Sequence, residues 1–136
     1  FISGVTPAAG ANYVLNIAPV YRYALSFCHF TLTTSAVAVN RFVRVGFISG
    51  ITIVAESVFI PALTASLTWH FDLQPGAPVS YAADPGNHHI CAGCGNLAVL
   101  NGVDQLFITV DNIDATDQIA NIRLGLKVWL SPEAQP

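Results

Sequence analysis

Four residues with metal-ligand chemistry lie close together in the sequence: His88, His89, Cys91 and Cys94. Thiolates and imidazoles suit zinc, and a Cys-x-x-Cys spacing lets two sulfurs meet one ion. Adjacent histidines in an extended strand point to opposite faces, however, and no helical pattern follows Cys91 to lower a thiol pKa for redox chemistry. We therefore interpret this segment as a glycine-rich loop with two reduced thiols and no bound metal. The alternative is a zinc ion shared with a symmetry-related copy.

The remaining histidines and carboxylates form no pattern that acid–base catalysis requires. No serine lies in a Gly-x-Ser-x-Gly motif, and His70 and Asp72, which share a strand face, are predicted to pair as a surface contact. The run from Asp111 to Asp117 has acidic residues spaced like a calcium loop, but it lacks the central glycine and closing glutamate of an EF-hand. We predict a polar turn there, no enzymatic activity and no cofactor. A cupin-like metalloenzyme is the alternative, but no His-x-His precedes Glu56.

The elements that would position these residues are strands. Alternation of apolar and polar residues is clearest over 67–73 and 121–130, which predicts strands with one face in the core. In the stretch from Tyr21 to Leu32 the apolar residues change parity after Phe27. This change predicts a β-bulge, or a strand that passes from one sheet to another.

Shorter strands are predicted by β-branched and aromatic residues between turn signals, over 13–18, 41–48, 51–58, 98–100 and 105–111. No stretch sustains helical periodicity over three turns. The pattern favours an all-β fold, a jelly-roll β-sandwich of about eight antiparallel strands, with an open barrel as the alternative. We predict one domain over residues 1–136, with possible extended arms at 1–11 and 131–136.

Composition indicates that part of the surface is covered by protein. Charged residues make up 10% of the 136 residues and hydrophobic residues 53%, whereas charged residues form about a quarter of an average soluble domain. A net charge of -3 leaves no basic patch for nucleic acid. The apolar run from Val45 to Trp69 contains Glu56, Pro61 and many β-branched residues, so we predict strands rather than a membrane span. Three cysteines suit a reducing compartment. These features predict a homo-oligomer.

Three sequence motifs together carry a resemblance to a known class of proteins. The stretch from Phe30 to Val45 contains Thr-Leu-Thr-Thr-Ser-Ala followed by Asn-Arg-Phe-Val-Arg, a Phe-x-x-x-Pro-Gly turn follows at 71–76, and a late strand ends in Val128-Trp129-Leu130. This combination resembles small structural proteins of tailed bacteriophages. The match covers most of the chain loosely, and its specific part is the hairpin from Thr33 to Arg44. The segment between Asn87 and Asn96 departs from the pattern.

The resemblance implies a jelly-roll virion component. We expect a capsid cement or decoration protein on the capsid exterior, assembled in the host cytoplasm, which oligomerises as a trimer or dimer and bridges subunits of the major capsid protein. Strand parity and chain position give the candidate contact residues: Phe1, Ile2, Phe42, Phe107 and Trp129. The alternative is a tail or fibre module that binds a host glycan or receptor near Tyr81, Asp84, Asn87 and His88.

Overall fold

The structure is a computed structural model, and it describes residues 2–18, 20–84, 87–94 and 104–130, without the side chains of residues 54, 60–62, 81–84, 87 and 94. This part of the chain contains ten strands and no helix. In chain order they are β1 (Ile2–Ser3), β2 (Tyr13–Asn16), β3 (Tyr21–Thr33), β4 (Arg41–Ser49), β5 (Thr52–Leu63), β6 (Thr68–Pro75), β7 (Ser80–Asp84), β8 (Asn87–Cys94), β9 (Asp104–Asp111) and β10 (Gln118–Leu130).

The strands form two sheets that pack as a sandwich. The six-stranded sheet has the order β1-β10-β3-β6-β8-β7, and the four-stranded sheet has the order β2-β9-β4-β5. Neighbouring strands are antiparallel in every pair except β6 and β8, which run parallel. The predicted all-β class and the two-layer arrangement are therefore confirmed.

The core lies between the two sheets and is filled by alternate residues of the long strands. Phe30 and Phe71, on adjacent strands, stack with ring centroids 4.6 Å apart, and Phe59 from the other sheet meets Phe71 edge to face at 5.4 Å. Leu106 and Ile108 complete the facing layer and are fully buried. Because side chains alternate across a strand, the residues between these positions point away from the core.

The parity change in β3 is a bulge, as the sequence predicted. Leu25 pairs with Leu126, whereas Phe27 pairs with Gly125, so Ser26 is the extra residue. The bulge allows Leu25 and, three positions later, Cys28 both to face the core. The strand stays within one sheet. On the outer face the ring of Phe27 covers Gly125, where a β-carbon would collide with it.

The structure corrects the prediction of a loop around His88 to Cys94. This segment is strand β8, which pairs with β6 on one side and with β7 on the other. Ile90 and Ala92 both face the core, but only Ile90 is large. The alternation of apolar and polar residues in this segment is therefore a weak signal for a strand. The predicted strand at 98–100 lies outside the described residues.

Candidate interaction surfaces

Three histidines cluster on the outer face of the six-stranded sheet. His29, His70 and His89 come from the adjacent strands β3, β6 and β8, at positions that alternate with core residues. The rings of His70 and His89 stack with centroids 4.7 Å apart, and those of His29 and His70 lie 6.4 Å apart. These histidines are far apart in the sequence, and only the register of the sheet brings them together on one face.

Asp72 pairs with a different histidine from the one that the sequence predicted. Its Oδ1 lies 2.7 Å from Nδ1 of His29 on the neighbouring strand, while His70, two residues away on the same strand, stacks on His89. Burial lowers the pKa of His70, and nearby His89 and His29 lower it further, while Asp72 partly opposes them. The imidazole of His70 therefore resists protonation more than a free histidine does.

The described side chains among the four residues weighed as zinc ligands do not converge within the chain. His88 faces the Trp69 side of the sheet, with ring centroids 4.6 Å apart, whereas His89 lies on the opposite face against His70. Cys91 follows His89 on the outer face and is half-buried, and the side chain of Cys94 lies outside the described set. Within the residues that the structure describes, no group of three or more histidine, cysteine or acidic side chains is arranged to hold a metal ion.

A buried ion pair organises one end of the sandwich. The side chains of Arg41 and Asp117 are both fully buried, and Nε of Arg41 donates to Oδ2 of Asp117 at 2.5 Å. The guanidinium also donates to the carbonyls of Val37 and Val39 and to the hydroxyl of Ser35. Arg41 thereby holds the 34–40 connection against the turn before β10.

Asp117 is the other half of this network and belongs to the acidic run that resembled a calcium loop. Its carboxylate accepts hydrogen bonds from the backbone N–H groups of Ser35 at 2.7 Å and Asp114 at 2.8 Å. Burial alone would raise the pKa of Asp117, but the hydrogen bonds from Arg41, Asp114 and Ser35 outweigh burial and lower it. The predicted polar turn is thus a structural junction.

On the outer face of the four-stranded sheet, Arg44 bridges two acidic residues. It contacts Asp111 at 2.9 Å and Glu56 at 3.2 Å. Glu56 was the glutamate that a cupin-like metal site would have used. In the structure it points outward to Arg44 rather than into the sandwich.

Exposed apolar side chains concentrate at the opposite end from the Arg41–Asp117 pair. Ser49, at the end of β4, lies opposite Asp104 in the sheet. The backbone carbonyl of Asp104 accepts a hydrogen bond from Ile17 N–H, and the backbone carbonyl of Ala18 accepts one from Tyr21 N–H at the start of β3. These contacts bring the β4–β5 turn and the outer end of the β3–β10 pair to one end of the molecule. Of the twelve exposed large apolar side chains among the described residues, seven lie there and form what we call the apolar end: Val20, Tyr21, Ile51, Ile53, Val128, Trp129 and Leu130.

The predicted contact residues have different surroundings. Trp129 is 40% exposed, at the apolar end, and Phe42 is half-buried. Phe107 points away from the core as its parity predicted, but it is only 3% exposed because it packs over Gly46 on the outer face. Ile2 is half-buried in β1, which pairs with β10. Phe1 lies outside the described residues.

The two segments predicted as possible arms differ in what the structure says of them. Gly4 N–H donates to the carbonyl of Ile122 at 2.9 Å, and Gly10 N–H donates to the carbonyl of Asp117 at 2.8 Å. Residues 2–11 are thereby held along β10 of their own chain. Residues 131–136 are not among those described.

The place expected for a glycan is described only in part. Side chains at 81, 84 and 87 are outside the described set, and His88 packs on Trp69. A crevice of about 360 Å³ opens nearby between the edges of the two sheets, and it is mainly apolar, with Ser57, Phe59, Val79 and Ile90 among its lining residues.

Comparisons of the chain with protein-family models, with curated proteins and with solved structures found no match. In the described part of the chain no helix is long and apolar enough to cross a membrane.

Proposed function

We propose that the sandwich is a jelly roll. When the β7–β8 hairpin is set aside, the first and last of the remaining eight strands pair, β1 with β10, and the pairing continues inward as β2 with β9, β3 with β6 and β4 with β5. An antiparallel ribbon wound into two sheets in this way is the jelly-roll arrangement, which is common in viral capsid proteins. The β7–β8 hairpin then extends one sheet beyond β6.

We propose further that the protein is a virion structural component, a cement or decoration protein that oligomerises and bridges major capsid protein subunits. The sequence resemblance to small structural proteins of tailed bacteriophages supports this role, and fold-level analogy alone would not suffice. The observation that carries the proposal is the apolar end. Its seven side chains are between 38 and 101% exposed, which is a concentration typical of a contact site.

The size of this surface fits a protein contact. Seven large side chains that are about half exposed present roughly 600 Å² of apolar surface, and a stable interface buries about 800 Å² on each partner. Burial contributes about 25 cal/mol per Å², before the costs of association are subtracted. Many such contacts around a shell sum to resistance against outward pressure, and this mechanism requires no catalytic group.

The decisive experiment mixes the purified protein with capsids that lack it and images them by cryo-electron microscopy. We expect ordered density at the junctions between capsid subunits, with the apolar end at a protein interface. Bare capsids would refute the capsid role and favour the tail or fibre module, for which binding to host glycans is the next test.

Two matched variants connect the apolar end to the binding. Val128→Asp places a charge at the apolar end, and Val14→Asp places one on β2, where the valine is almost equally exposed, 47% against 49%. We expect Val128→Asp to reduce oligomerisation in light scattering and occupancy on capsids, while Val14→Asp leaves both unchanged. Equal effects of the two variants, or a wild-type chain that stays monomeric at high concentration, would contradict the assembly argument.

A further inference from the structure

The five cations of this acidic chain divide into two groups. Arg41 is neutralised by Asp117, and Arg44 is neutralised by Asp111 and Glu56. The other three form no ion pair or hydrogen bond with a described side chain, although the chain carries a net charge of -3. These three cations all lie on the β3–β10 pair: Arg22, Arg123 and Lys127.

The three cations share one face of the six-stranded sheet. Arg123, Lys127 and Trp129 alternate along β10 with inward residues such as Leu124, so they point outward. Arg22 lies directly opposite Trp129 on β3 and therefore points to the same side. Arg123 and Lys127 are four residues apart, which is about 13 Å along a strand. We call Arg22, Arg123, Lys127 and Trp129 the basic stripe.

Among the described residues, little neutralises the basic stripe. The nearest described acidic group on this face in the sheet register is Asp72, two strands from Arg123, and it is held by the intervening His29. Nε of Arg22 is buried with no hydrogen-bond partner among the described residues. None of the ion pairs among the described residues neutralises Arg22.

We propose that the basic stripe binds an acidic segment of a protein partner. This inference deepens the proposed function and rests on it, since the partner would be an acidic segment of the capsid protein. Carboxylates pair with guanidinium groups through charge-assisted hydrogen bonds, and Trp129 offers apolar contact at the end of the stripe. Three cations on a chain of net charge -3 are too few for the phosphate contacts by which nucleic-acid binding proteins gain affinity.

The test measures co-sedimentation with capsids that lack the protein, over a range of salt concentrations. The triple variant Arg22→Gln, Arg123→Gln, Lys127→Gln should bind about tenfold more weakly at low salt, as expected for three exposed ion pairs, and with a weaker salt dependence. Lys127→Gln should weaken binding more than Arg44→Gln, which removes the same charge from the other sheet. Circular dichroism and thermal melting check that each variant is folded.

The outcomes separate this inference from the proposed function. If wild-type protein binds capsids and the triple variant binds equally well, the stripe is not the contact and the inference is wrong. If wild-type protein does not bind capsids, the cement role fails, and retention on immobilised poly-L-glutamate then tests the stripe alone. Retention of wild type but not of the triple variant supports it, and equal retention overturns it. Stronger binding of the wild type to a dT20 oligonucleotide than to poly-L-glutamate would overturn the choice of a polypeptide.

Discussion

Asp117→Asn is the substitution for which the structure gives the clearest expectation. It removes the negative charge beside Arg41 while the guanidinium of Arg41 stays fully buried. The two carboxylate oxygens of Asp117 accept hydrogen bonds from Arg41, Ser35 and Asp114, whereas an asparagine side chain has a single oxygen to accept them. Removing one partner of a buried pair typically costs about 3–5 kcal/mol, because the other charge stays buried and unpaired. A domain of this size has about 5–15 kcal/mol in total, so the loss is large.

Urea unfolding measures this loss. With a slope of about 2 kcal/mol per molar urea, the midpoint should fall by about 1.5–2.5 M at an unchanged slope. The matched control is Asp114→Asn, which changes a carboxylate in the same turn. The half-buried Asp114 carboxylate accepts hydrogen bonds from the Thr116 backbone and hydroxyl, and also from the Ser35 side chain and the Ala115 backbone. None of these donors is charged, so we expect a loss below about 1.5 kcal/mol.

Two results would refute the reasoning about this ion pair. The first is a loss for Asp117→Asn no greater than that for Asp114→Asn. The second comes from a double-mutant cycle with Arg41→Met. If the pair is coupled, the double variant should be less destabilised than the sum of the single changes, by about 0.5–3 kcal/mol, whereas strict additivity would show no coupling.

The same carboxylate has a pH signature. Because the pKa of Asp117 is lowered in the folded state, its contribution is present above the ordinary value of 3.8 and is lost as pH falls through the folded pKa. Asp117→Asn should therefore have a flatter acid limb in the plot of unfolding free energy against pH than wild type. Parallel acid limbs would contradict the lowered pKa.

Two further predictions concern the sheets. Because the pKa of His70 is lowered in the folded state, the unfolded chain takes up a proton at this residue more readily than the folded chain does. The contribution of His70 to the free energy of unfolding should therefore decrease as pH falls below 6.5. The His70→Gln variant should lose less stability over that range than the wild type. A β-carbon at Gly46 would collide with the backbone carbonyl oxygen of Ala55 and would lie 2.7 Å from Cζ of Phe107. Gly46→Ala should therefore cost about 1–3 kcal/mol in urea unfolding. Gly50→Asn, at an open turn position with φ of +61°, should change little, and equal losses at the two glycines would contradict this packing argument.

Local pattern predicted the long strands well, and the reason is visible in β3. The parity shift after Phe27 follows directly from which residues are apolar, and it marked the bulge that the pairing with β10 confirms. The same method failed at β8, because its inward residues His88, Ile90 and Ala92 give little apolar contrast. That strand is held by its neighbours β6 and β7, and pairing with a distant strand leaves no periodic signal in the segment itself.

Sequence by itself determined the β class, the strands over 67–73 and 121–130, the bulge and the excess of apolar surface. Each of these depends on residue type and short-range order. Tertiary structure alone decided which residues meet. Arg41 and Asp117 are 76 positions apart, and His29, His70 and His89 lie on three strands, so only sheet register and chain path join them. The basic stripe likewise emerged only when two of the five cations were found to be paired elsewhere. Charge composition counts residues, whereas neutralisation depends on the distances between them, and those distances are set by the fold.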